Sequence, residues 1–304
     1  MESIRLTDFK IRTSGNKTKN TPKSSYKFKF TESVLEDGEE EDVDYYKMEK
    51  FNLKSMWNDV SQMREFVAWH FFRNAFLPAP RHTYARFCIG AKGSPIVEYR
   101  GLYSVIEQVD KDFIKERFDD NDRGNLYKAA WADVGPADFT YKGDGATSTG
   151  ENYYKPVSDD FYTLSKDERE KVLEGRTYEL KANDKDWLKI DSAAEDWYAD
   201  DLAVLIDVIN KRHPSTVGIS RNSDAYRAAV EEIFNARAFL RWAVWNNLMG
   251  AWENYWQTPS NFYIYNSGHI GADREYLQRP FFHWIPWDYD NILGIHYPRE
   301  DRRG

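Results

Sequence analysis

Apolar and polar positions alternate in short runs over the first third of the chain and move to a helical period in its last third. Residues 4–30 alternate around turn signals, and Pro22-Lys23-Ser24-Ser25-Tyr26-Lys27-Phe28-Lys29-Phe30 reads as a strand of period two. Phe51-Asn52-Leu53-Lys54 is a second short strand, and 84–89 and 99–107 give two more. Between them Asp59 is placed as a helix N-cap with Gln62 three residues on, and Met63, Phe66, Val67 and His70 or Phe71 recur at helical spacing. Leu77-Pro78-Ala79-Pro80 stops that helix. Asp110 caps a short helix over 111–118, and 124–128 reads as a turn and strand. Residues 131–195 are weakly patterned and read as irregular insertions. Helices are then predicted over 202–211, 225–234 and 236–252, with Asn235 separating the last two. Two late strands follow, Asn261-Phe262-Tyr263-Ile264-Tyr265 and the apolar run Phe281-Phe282-His283-Trp284-Ile285-Pro286. Strands mostly first and helices mostly second predict an α+β fold of two lobes with a cleft between them.

The bulk numbers narrow the function. A chain of 304 residues suits one large domain or a two-lobed one. Aromatics at 16% can fill a large core, so most of the chain is expected to fold. A net charge of −8 argues against a general nucleic-acid binder. No apolar run is long enough for a membrane-spanning helix. Met1-Glu2-Ser3-Ile4-Arg5 lacks a signal-peptide core, which predicts a cytosolic protein or one whose signal has been removed. The single Cys88 excludes an internal disulfide and a cysteine zinc site, and between Phe87 and Ile89 it reads as a buried strand residue. The acidic run 36–44 reads as a solvated loop or hairpin tip.

Candidate chemistry gathers at Trp287-Asp288-Tyr289-Asp290, where the last apolar strand ends. Side chains two apart on an extended segment share a face, so both acids can aim at one spot. Two carboxylates there suit a hard cation such as Mg²⁺, which is completed by substrate phosphates. The bland alternative is an aspartate that merely caps the turn before Gly294. The histidines do not cluster; His70 on a helix face and His283 in an apolar strand read as structural. No H-E-x-x-H or G-x-S-x-G motif is present. The many Trp and Tyr residues, such as Trp242 and Trp245, fall at core spacing rather than as a carbohydrate platform.

An ordered set of short motifs resembles the spore coat protein H (CotH) kinase family. They are Arg12-Thr13-Ser14-Gly15-Asn16 with Pro22 to Lys27, Phe51-Asn52-Leu53-Lys54, Met63-Arg64-Glu65 and Gly101 to Lys111 with Phe113-Ile114. Leu126-Tyr127-Lys128, Phe239-Leu240-Arg241, Asn261 to Tyr265 and Ile285 to Asp290 complete the set, which spans nearly the whole chain. The resemblance implies a single domain over 1–304 with an atypical protein-kinase-like fold. Residues 1–109 would form a strand-rich N-terminal lobe, and 110–304 a helix-rich C-terminal lobe with the irregular insertion 131–195. It implies ATP and Mg²⁺ or Mn²⁺ as cofactors, a Ser/Thr-rich protein acceptor and a secreted or spore-surface setting.

The same resemblance assigns roles. Asp288 would be the metal-binding aspartate, with Asp290 a second ligand or its substitute. Asn261 would hold a second metal, against the alternative of a strand-end turn residue. Glu253 stands where the family usually has the candidate base Asp, and Ala251 where Asn is common. Its separation from Asn261 exceeds the D-x-x-x-x-N spacing of kinases. Glu253 is thus either the base or an exposed acid at a helix end. Lys23, Lys27 and Lys54 compete for the phosphate-binding cation, one of them to pair with Glu65; each alone also reads as a surface lysine. Arg12 and the Gly15-Asn16 turn are candidates to cover the phosphates. Glu107-Gln108-Val109 reads as the hinge whose backbone meets adenine, or as a plain strand-to-helix link. Three readings follow: a CotH-type Ser/Thr kinase, a non-catalytic surface, scaffold or host-binding protein keeping the fold, and a transferase acting on a non-protein acceptor.

Overall fold

The computed structural model describes residues 9–15, 21–30, 33–34, 40–41, 46–91, 93–122, 124–129, 131–132, 135–141, 178–182, 200–268 and 279–294. Its first sheet is built from β1 (Phe9–Ser14), β2 (Ser25–Phe30), β5 (Lys50–Lys54), β6 (His82–Gly90) and β7 (Val97–Glu107). These five strands run in the order β1-β2-β5-β7-β6, every neighbour antiparallel. Between β2 and β5, β3 (Ser33–Val34) pairs with β4 (Glu40–Glu41). Register aligns Arg12 with Lys27, Lys27 with Asn52, and Asn52 with Ile106. Opposite residues share a face, and Lys54 joins them two positions beyond Asn52. One face of the sheet is therefore rich in cations. The other carries aromatic rings: Phe28 stacks on Phe51 at 5.0 Å and on Phe9 at 5.4 Å, and Phe87 meets Tyr26 and Tyr103.

The second sheet contains β8 (Leu126–Ala129), β11 (Tyr178–Ala182), β12 (Phe262–Asn266) and β13 (Phe282–Pro286) in the order β11-β8-β12-β13. A small pair, β9 (Trp131–Ala132) with β10 (Gly135–Pro136), lies between β8 and β11 in sequence. The helices are α1 (Arg64–Asn74), α2 (Lys111–Phe118), α3 (Asp200–Ile209), α4 (Asp224–Ile233) and α5 (Ala236–Leu248). One apolar core joins α1, the second sheet and α5. Trp284 of β13 stacks on Phe262 at 4.1 Å and meets Trp242 of α5 at 4.5 Å. On its other side the core reaches α1, where Trp69 and Phe72 meet Tyr289 at 5.5 and 4.6 Å. A polar hub ties α3 to this sheet. Buried Asp201 accepts from the Tyr127 hydroxyl at 2.7 Å and from the amides of Asn266 and Asn125 at 2.7 and 3.3 Å.

Several expectations hold closely and others need correction. Asp110 caps α2 by accepting from the Asp112 N–H, and Asn235 caps α5 through Ala238. Helix α1, however, starts at Arg64, not just after Asp59. Asp59 spends its carboxylate on Ser61 and on the Arg64 N–H, and left-handed Met56 (φ 52) and Gln62 (φ 55) keep the approach irregular. The buried stripe of α1 is Glu65, Ala68, Trp69 and Phe72, whereas Met63 and Phe66 are exposed. Helix α5 stops at Leu248 because Gly250 turns left-handed (φ 61), so Glu253 lies in a loop rather than at a helix end. Cys88 is exposed, since it sits beyond the register shift of the long β6–β7 hairpin. Within 131–195, residues 178–182 are a strand, not irregular chain; the rest of that stretch lies mostly outside the described residues.

Candidate functional site

Lys54, the last residue of β5, is the centre of the site. Its ammonium donates to Glu65 Oε1 at 2.7 Å and to Asp288 Oδ1, and lies 4.0 Å from Asp290 Oδ2. Glu65 is in the first turn of α1, so the long irregular approach to that helix sets where its carboxylate meets the strand. Three carboxyl groups thus face one ammonium in a half-closed space. Burial works to lower the Lys54 pKa, but Asp288, Glu65 and Asp290 outweigh it and hold the ammonium charged. Burial pushes the Glu65 carboxyl up despite the pull of Lys54, and its Oε2 is buried with no hydrogen-bond partner. Asp290 is raised to about 6, by burial first and then by the neighbouring Asp288 charge. The excess of negative charge is the dominant electrostatic fact of this site.

The two aspartates do not converge as an extended pair. Strand β13 ends at Pro286, and Asp288 takes a left-handed backbone (φ 62). Tyr289 between them is buried, its hydroxyl accepting from Trp242 Nε1 at 2.6 Å and donating to Asn246 Oδ1 at 2.9 Å. A turn, anchored by that tyrosine, brings both carboxylates to Lys54. The end of β13 is pinned beside Asn261 by a bond from the Trp287 N–H to the Asn261 carbonyl at 3.1 Å. Asn261 is itself left-handed (φ 57), and its side-chain amide donates to the Glu253 carbonyl at 2.8 Å. Asn261, Asp288, Asp290 and Glu253 thus stand near one end of the second sheet, and Asp288 and Asp290 meet Lys54 of the first.

Glu253 has a partner that no sequence pattern announces. Its Oε2 accepts from Asn291 Nδ2, and Asn291 Oδ1 in turn accepts from Asn58 Nδ2 at 3.1 Å. Asn58 precedes α1, and its carbonyl accepts from Arg64 at 3.0 Å. These partners lie far apart along the chain, and no periodicity or spacing rule connects them.

The other predicted residues divide. Lys27 lies on the cationic face and donates to Gln108 Oε1 at 2.7 Å; burial, then the Arg12 charge opposite, lowers its pKa to about 8. Gln108 also accepts from Asn52 at 3.2 Å and donates to the Val109 carbonyl and the Tyr263 hydroxyl. Asn52 and Tyr263 thus join Lys27 and Gln108 in one hydrogen-bonded group, and the sequence reading passed over both. Lys23 is not in this group: its ammonium donates to the Leu102 carbonyl at 2.6 Å and lies over the Tyr103 ring. The Glu107 side chain is also turned away, buried between Arg81 and Arg117. Only its main chain borders the junction of β7 with the Gln108-Val109 link. Lys54 alone among the three candidate lysines meets Glu65. Among the described residues no group of three or more His, Cys, Asp or Glu is arranged to hold a metal ion. No helix there is long and apolar enough to cross a membrane.

Comparison with known proteins gives one strong match. Residues 11–303 fit the family model described as CotH kinase protein, nearly the whole chain. No curated protein matches it.

Proposed function

The chain belongs to the CotH kinase family, and from that premise we propose that it is an ATP-dependent protein kinase transferring the γ-phosphate to Ser or Thr of secreted or spore-surface proteins. In this reading residues 1–109 and 110–304 are the two lobes of an atypical kinase fold. The carrying observation is Lys54, held at once by Glu65 of α1 and by Asp288 after β13. A strand lysine paired with a helix glutamate and set against a metal-binding aspartate is the charge arrangement protein kinases use for phosphoryl transfer.

The donor set suits a hard cation: the carboxylates of Asp288 and Asp290 and the Asn261 side-chain oxygen are all oxygen groups. Burial first and the neighbouring Asp288 charge second raise the Asp290 pKa, and the second of these is the repulsion between carboxylates that a bound cation would relieve. These residues would hold Mg²⁺ or Mn²⁺, which would supply positive charge against the phosphates. The chain's own groups supply the rest. Lys54 neutralises the phosphates, and Arg12 and Lys27 extend positive charge along the same face. The Glu107-Gln108-Val109 backbone borders the base. The acceptor hydroxyl oxygen forms a new bond to the γ-phosphorus, while the bond from that phosphorus to the bridging oxygen breaks. Its electron pair leaves with ADP, and the hydroxyl proton passes to Glu253. Positioning and charge do most of this work.

Asp288→Asn should reduce transfer from labelled ATP to a Ser/Thr-rich peptide library by at least ~10²-fold, the loss expected when a group that stabilises developing charge is removed. Unchanged transfer by that variant would remove Asp288 from the mechanism. Glu253 and Ala251 favour a second reading, a non-catalytic surface protein that keeps the fold. A wild-type protein that binds ATP but never turns it over would establish that alternative.

A further inference from the structure

We propose that Asn291 is a positioning residue that fits the longer Glu253 side chain to the transfer reaction, an inference that rests on the kinase reading above. A glutamate reaches one methylene further than an aspartate and has one more rotatable bond. Left loose, its carboxylate would sample positions too far forward or aside, and misplacement near 1 Å can cost on the order of 10²-fold in rate. In this chain one oxygen of that carboxylate is tethered. Asn291 is buried, 7% exposed, and its Nδ2 donates to Glu253 Oε2.

The orientation of the Asn291 amide is fixed by its two neighbours. Its Oδ1 accepts from Asn58 Nδ2 at 3.1 Å, while its Nδ2 faces a carboxylate. Flipping it would set donor against donor at Asn58 and oxygen against oxygen at Glu253. Asn58 is held by the Arg64 guanidinium on its carbonyl, and Arg64 also reaches Asp59 at 3.3 Å. The backbone of Glu253 is fixed separately through Asn261. Main chain and one carboxylate oxygen are thus both held. Among the described residues Glu253 Oε1 accepts no hydrogen bond, which leaves it for the acceptor hydroxyl. The tether begins at the first turn of α1, the turn that also carries Glu65. The seat of the phosphate-facing lysine and the seat of the base therefore share one support.

This reading reverses the simplest expectation for the departure from the family pattern. Placing the usual aspartate at 253 should not improve the protein, because the shorter carboxylate draws back from Asn291. The test measures transfer from labelled ATP to a Ser/Thr-rich peptide library, and phosphate release from ATP, for wild type, E253D, E253Q, N291A, N58A and the double variant E253D/N291A. Expected are a fall in kcat of about 10- to 100-fold for N291A and E253D, with KM for ATP unchanged. A smaller fall is expected for N58A. In the double variant E253D should add little to N291A, since both act through one contact. E253D retains Asn291 bonded to Asn58 and carries the test should N291A fold poorly. A rise in kcat for E253D, or full activity in N291A, overturns the inference while leaving the kinase reading in place. A wild type without turnover overturns both, whereas an E253Q that works as well as wild type removes Glu253 as the base and overturns the inference alone.

Discussion

At Asp288 a single backbone angle decides where two charges go. A φ of 62 is disfavoured for most side chains, and aspartate and asparagine enter that region more readily than others. Asp288→Asn therefore removes the charge and keeps the turn, whereas Asp288→Ala also strains it. In urea titrations the alanine variant should be less stable than the asparagine variant by ~1 kcal/mol; equal stabilities would show that the turn is not constrained there. A second residue-scale consequence concerns His283, whose ring meets Ser267 Oγ at 2.9 Å. Burial lowers its pKa to about 4, below the unfolded value. Its contribution to stability is therefore complete above about pH 6.5 and is lost as pH falls toward 4, up to ~3 kcal/mol. Stability should fall less over that window in His283→Gln than in wild type, and parallel curves would contradict the assignment. Asp288 and Asp290 were legible in the sequence because they follow the last apolar run, whereas Glu65 and Lys54 entered through the family resemblance, Lys54 as one of three competing lysines. Asn291 and Asn58 were not legible, because an asparagine amide carries no such mark until folding brings its partner to it.

At the scale of elements, the Asp201 hub fixes α3 to β8 and β12. Asp201→Ala would remove the acceptor shared by the Tyr127 hydroxyl and two asparagine amides, at a cost of ~3 kcal/mol or more. Burial raises the Asp201 pKa, so its charged form already carries a penalty near neutral pH. An alanine variant within ~0.5 kcal/mol of wild type in urea, the range of an ordinary surface change, would show that the hub is not structural. Caps on α2 and α5 were readable because the capping side chain and its N–H partner are a few residues apart. The start of α1 was misplaced for the opposite reason. Asp59 has the chemistry of a cap, but left-handed Gln62 lies between it and the helix, and only the folded loop reveals that. The true buried stripe of α1 begins with Glu65, a charged residue that an apolar pattern search skips.

In the whole molecule, α1 is the shared support of the two sheets: Lys54 and Glu65 link it to the first, and Trp69 and Phe72 to the Tyr289 segment beside the second. On the proposed kinase reading, a nucleotide that contacts both Lys54 and the Asp288 segment should stabilise the entire fold. ATP with Mg²⁺ at ~100 times its Kd should add ~2.7 kcal/mol to the unfolding free energy. The Lys54→Met variant should lose most of that gain, and an undiminished gain would place the nucleotide elsewhere. The first sheet also constrains how the chain can change length over evolution. Strand side chains repeat every second position, so one residue inserted early in β2 would swing Lys27 to the aromatic side and Phe28 to the cationic side. Insertions and deletions inside β2 or β5 are therefore tolerable only in pairs.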